Sequence, residues 1–121
     1  MSKPLDPCDV LDFLWDRNLI EGVCVYDGRS RWRDAYHGST HKSCIAPHGY
    51  YYVEDTPDVP GGDLEPRDVD VPKHSLVVTL GYAARTAFNV DPTLARQLAD
   101  TVGASAIEAA PLRGDALVLH E

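Results

Sequence analysis

The feature that most constrains this chain is the stretch from Glu54 to Pro72. It carries seven acids (Glu54, Asp55, Asp58, Asp63, Glu65, Asp68, Asp70) against Arg67 alone, together with Pro57, Pro60, Pro66, Pro72 and the Gly61-Gly62 pair. Proline removes a backbone donor and glycine adds backbone entropy, so neither a helix nor a central strand suits this composition. It reads as a long, exposed, acidic loop at about 54–72. Loops longer than about 12–15 residues are uncommon in compact domains and often functional.

Around that loop, 121 residues suffice for a single domain, residues 1–121. Apolar residues make up 44% and charged residues 25%, the composition of a soluble globular chain. No run approaches the roughly 20 apolar residues that span a bilayer, so no membrane partner is expected. The start, Met1-Ser2-Lys3-Pro4-Leu5-Asp6, lacks the apolar core of a secretory signal. Three cysteines (Cys8, Cys24, Cys44) without C-x-x-C spacing suggest reduced thiols and a cytoplasmic location, with Cys8 and Cys24 as small core residues. The net charge of −8 argues against general nucleic-acid binding, because phosphate affinity comes mainly from Lys and Arg.

The pattern on either side of the loop predicts an α+β fold: a small, mainly antiparallel sheet of five or six strands with two helices packed on one face. Asp6 followed by Pro7 is a helix start, and Val10, Leu11, Leu14, Trp15 and Leu19 recur at helical spacing until Glu21-Gly22. Asp27-Gly28 between Val23–Tyr26 and Arg29–Arg33 predicts a two-residue type I′ hairpin. In that register Tyr26 faces Arg29, Val25 faces Ser30, Cys24 faces Arg31 and Val23 faces Trp32. Val23, Val25 and Trp32 then line the core, while Cys24, Tyr26, Arg29, Arg31 and Arg33 form an arginine face with a tyrosine at its edge.

Beyond the loop, His74–Leu80 reads as a buried strand. Asp91-Pro92 opens a second helix with Leu94, Ala95, Leu98, Ala99 and Val102 as its apolar stripe and Gly103 as its cap. Ala104–Leu112 and Ala116–His120 read as a second hairpin around Arg113-Gly114-Asp115. That tripeptide matches an adhesion motif, but it is also ordinary turn chemistry.

Three constellations could carry function. The first is partner binding: the acids Asp58, Asp63, Glu65, Asp68 and Asp70, beside the Tyr50-Tyr51-Tyr52 run, of which Tyr51 and Tyr52 are assigned to the partner. An acidic surface imitates phosphates and engages a basic site, as an inhibitor or immunity-type protein does. The second is a nucleotide or phosphate ligand held within the Arg29–His48 segment by Arg29, Arg31, Arg33, Tyr36, His37, His41 and Tyr50, since guanidinium groups pair bidentately with phosphate and aromatic rings stack on bases. From Arg29 to Lys42 the local charge is +3, although alternating arginines also suit a solvated face or ion pairs with the acidic loop. The third is a structural zinc site of His37, His41, Cys44 and His48, which are all zinc-type ligands but crowded within twelve residues.

Tyr36-His37-Gly38-Ser39-Thr40 locally resembles the H-G-[ST] strand of ADP-ribosyltransferases. The resemblance covers about five residues. It implies that His37 would bind the nicotinamide ribose and that Tyr50, Tyr51 or Tyr52 would stack on the ring. The ligand reading therefore comes with or without hydrolytic or ADP-ribosyl-transferring chemistry. No nucleophile elbow, P-loop or dinucleotide fingerprint is present and no glutamate stands clearly in the transferase position, so the expectation leans away from an enzyme and no catalytic residue is assigned. The leading expectation is a small acidic cytoplasmic module that binds a protein partner, with no cofactor other than zinc to be considered.

Overall fold

The computed structural model describes residues 4–29, 35–37, 71–112 and 114–121; at 35–37, 110–112 and 114–115 only the backbone is described. Along the chain run α1 (Pro7–Asp16), β1 (Cys24–Asp27), β2 (Ala35–His37), β3 (Ser75–Thr79), α2 (Tyr82–Val90), α3 (Leu94–Val102), β4 (Ala106–Leu112) and β5 (Gly114–His120). The strands form one small antiparallel sheet in the order β2-β1-β3-β5-β4. Three helices, not two, accompany it. No helix among the described residues is long and apolar enough to cross a membrane.

Helix α1 starts as the sequence dictates. The Asp6 carboxylate accepts the Cys8 N–H at 2.8 Å, and Pro7 opens the first turn. Its end comes earlier than Glu21-Gly22. Asn18 adopts a left-handed φ of 59°, and the Leu19 N–H turns back to the Leu14 carbonyl at 2.8 Å. Arg17 then covers this end, its guanidinium 3.6 Å from the centre of the Phe13 ring.

The main core lies between the helices and one face of the sheet. Val10, Leu11, Phe13 and Leu14 of α1, Ala84 of α2, and Leu94, Leu98, Ala99 and Val102 of α3 meet Val23, Val25, Leu76, Val78, Leu117 and Leu119. The opposite face is apolar too: Cys24, Tyr26, Val71, Val77, Ala116 and Val118 form a second buried cluster. β3 is accordingly buried at all five positions, which explains its unbroken Leu-Val-Val run.

The first predicted hairpin is corrected by this sheet. β1 pairs with residues 35–37, not 29–32: Tyr26 lies opposite Ala35, Val25 opposite Tyr36 and Cys24 opposite His37. The arginine face is corrected at Cys24, Tyr26 and Arg29, since the first two are fully buried and Arg29 follows the strand instead of lying within one; Arg31 and Arg33 lie outside the described residues. Nor does Gly28 take a positive φ, as a type I′ turn requires; among the described glycines only Gly22 and Gly103 do. A side chain at Gly28 would collide with the Pro72 carbonyl and Val71. Glycine is needed there for close approach, not for turn geometry.

The rest of the second half follows its pattern with small shifts. Residues 106–112 and 114–120 pair as a hairpin from Ala106 opposite His120 to Leu112 opposite Gly114. Helix α3 ends at Gly103 in the left-handed conformation, φ 82°. It begins at Leu94, because Asp91 makes a turn before the helix: its carboxylate accepts the Thr93 N–H at 2.9 Å and the Thr93 hydroxyl at 2.6 Å. Of the cysteines, Cys8 is disulfide-bonded, correcting the reduced state expected for it, and Cys24 is a buried thiol.

Candidate functional site

Two polar groupings stand out among the described side chains, and both lie at one end of the sheet. The first joins segments far apart in sequence. Asp27 ends β1 and is 6% exposed, so its carboxylate needs compensation. Arg29, two residues on, supplies it: Nε lies 3.2 Å from Oδ1, Nη2 lies 3.1 Å from Oδ2, and the Arg29 N–H donates to Oδ1 at 2.9 Å. The same guanidinium donates to the Leu5 carbonyl and lies 3.4 Å from Glu121 Oε2. Glu121 also accepts the Leu5 N–H at 3.4 Å, and its Oε1 lies 3.4 Å from His74 Nδ1. The Glu121 N–H closes the knot on the His74 carbonyl at 3.1 Å.

The second grouping is a row across three strands. Ser75 lies opposite His120 in the β3–β5 register, its hydroxyl 3.1 Å from Nδ1. His120 Nε2 lies 3.5 Å from Glu108 Oε1 on β4. Hydroxyl, imidazole and carboxylate are the elements of a nucleophilic triad, and any such row deserves to be weighed as one. Ser75, however, is only 2% exposed. A hydroxyl closed off from solvent cannot meet a substrate carbonyl, so the row acts as a polar cross-link between β3, β5 and β4. Every buried side-chain nitrogen and oxygen among the described residues has a hydrogen-bond partner.

The Asp91 carboxyl is electrostatically perturbed. The Thr93 hydroxyl, and then the Thr93 N–H, hold Asp91 below the usual carboxylate range by stabilising its ionised form. Asp91 is fully exposed, so this is a local helix-start feature.

Of the predicted ligand residues, Arg29 is engaged with Asp27, Leu5 and Glu121 as described. Tyr36 and His37 occupy adjacent positions of β2, where only the backbone is described. Arg31, Arg33, His41 and Tyr50 lie outside the described residues, as do the zinc candidates His41, Cys44 and His48 and the partner candidates Tyr51, Tyr52, Asp58, Asp63, Glu65, Asp68 and Asp70. Among the described residues no group of three His, Cys, Asp or Glu side chains is placed to hold a metal ion. Sequence reading missed Asp27, His74, His120 and Glu121. Only the strand register could have signalled them, by setting Ser75 beside His120.

Among the described residues the exposed large apolar side chains are Tyr82 and Val90, at the two ends of α2 and each 77% exposed. No family model, no curated protein and no solved structure matches this chain.

Proposed function

We propose that this protein is a small acidic module that acts by occupying a basic site on a partner protein, as an inhibitor or immunity-type protein does. The observation that carries the reading is the charge of the 54–72 stretch, seven carboxylates against one arginine in a chain of net charge −8. Such a concentration steers a basic partner into contact and discriminates against acidic ones. Asp58, Asp63, Glu65, Asp68 and Asp70 supply the charge, and Tyr51 and Tyr52 supply contact area at small entropic cost.

The ion pairs of Arg29 favour this reading over a phosphate ligand. Arg29 is the one basic residue between Arg29 and Lys42 whose side chain is described, and two carboxylates of the same chain already take it up. An incoming phosphate would have to displace both.

The test is affinity capture from an extract of the source cells, comparing wild type with a variant carrying Asp58→Asn, Asp63→Asn, Glu65→Gln, Asp68→Asn and Asp70→Asn. A basic protein held by wild type at low salt, and released by high salt or by the variant, is the expected result. Capture of nothing, or of a protein that the variant holds equally well, overturns the reading.

A further inference from the structure

We infer that the outer edge of β4 is a second contact surface, which takes up an extended, cationic segment of a partner by strand addition. The inference rests on the reading above for the sign of the partner's charge and adds the form in which part of that partner is recognised.

β4 ends the sheet, and among the described residues no strand pairs with its outer side. In an antiparallel ladder alternate residues turn their N–H and C=O groups towards one neighbour, and the remaining residues turn theirs away. Pro111 fixes which residues are which. It lies opposite Asp115 and has no N–H to give to β5, so it suits an outward position. Ile107 and Ala109 share its phase and also present their N–H and C=O groups outward. The other end of the strand agrees: the Ser105 N–H donates to the His120 carbonyl at 2.8 Å, placing the bonded end of the ladder at the Ala106–His120 pair.

Among the described residues no strand covers this edge. Natural edge strands are protected by charges, bulges or covering segments. Here Ala106, Glu108 and Ala109 are exposed and two of them are alanines, so among the described side chains only small groups flank the approach of another backbone at these two positions. Glu108 carries the only charge on β4 and its side chain is 66% exposed. A lysine or arginine on an added strand could lie beside it and share it with His120. A second copy is the disfavoured occupant, because it would set one chain of charge −8 against another and one Glu108 near its twin. Strand addition draws affinity from the main chain and specificity from alternate side chains, which suits a basic, extended segment.

The experiment is amide NMR on the full chain with two probes, an alternating Lys-Val octapeptide and its Glu-Val counterpart. The expected result is slowed exchange at the Ile107 and Ala109 amides with the Lys-Val peptide, weakened by salt and absent with the Glu-Val peptide. Ala109→Pro removes an outward donor without removing a β4–β5 bond and should weaken binding at least tenfold. Should that variant lose its folded spectrum, Glu108→Lys serves instead and should shift preference to the Glu-Val peptide. No protection at Ile107 and Ala109, equal protection by both peptides, or protection that grows with protein concentration alone overturns the inference. Neutralising the acids of 54–72 should leave this protection in place, which separates its failure from failure of the partner reading.

Discussion

Ser75 and His120 sit directly opposite each other on β3 and β5, hydroxyl to Nδ1 at 3.1 Å, with the second imidazole nitrogen 3.5 Å from Glu108. Three strands are thereby joined by side chains as well as by their ladder bonds. Because Ser75 is buried, its hydroxyl depends on the imidazole for a partner.

His120→Phe should therefore lower stability by about 1–3 kcal/mol, the usual cost of leaving a buried polar group unmet. His120→Gln, which keeps a group able to bond the hydroxyl, should recover part of it. Urea unfolding measures both; equal losses in the two variants would mean that the ring's packing, not its bond to Ser75, matters.

Arg29→Ala tests the knot that ties Leu5, Asp27, His74 and Glu121. It strands the Asp27 carboxylate, whose side chain is 9% exposed. A loss of about 1–3 kcal/mol is expected, in the range of bonds to charged groups. Glu121→Gln keeps Asp27 paired with Arg29 and should cost less. Thermal unfolding of the two variants ranks them, and the reverse order would place the anchor at Glu121.

Gly28→Ala should destabilise by about 1–3 kcal/mol, because an added methyl group forces Pro72 and Val71 to move. Gly103→Ala, at a left-handed helix end with open space around it, should cost about 1 kcal/mol through backbone conformation alone. Denaturant midpoints distinguish a collision from a dihedral cost.

Asp91 gives a pH dependence of defined sign. Its carboxyl is held below the usual range of about 4 by bonds to Thr93, so the folded form releases its proton more readily than the unfolded form. The stabilisation is fully present above that range and is lost as pH falls through the lowered folded value. Carbon NMR of the Asp91 carboxyl should show a midpoint below that of an exposed aspartate, and Thr93→Ala should raise it.

Much of the architecture can be read from local chemistry. Asp6-Pro7 and Gly103 mark helix ends through backbone donors, acceptors and dihedral preferences that need no tertiary partner. The Leu-Val-Val run of β3 declares burial on both sides, and the hairpin of β4 and β5 follows from two short runs about a tight turn. Helix α2 escaped because it lacks a polar cap: Gly81 precedes it without a capping side chain and Ala84 alone is buried. Its residues gain helical form from packing more than from signal.

What tertiary structure alone decided is register and pairing. Asp27-Gly28 has the composition of a two-residue turn, yet β1 is paired from Ala35 onward and Gly28 serves Pro72 instead. A turn dipeptide contributes only local preference, whereas the ladder and the burial of Tyr26 act along the whole strand. For the same reason Arg29, which by alternation belongs to an open basic face, is bound into a knot with Leu5, Asp27 and Glu121. Charges pair by distance in space, and the sequence by itself determines their number and order but not which of them meet.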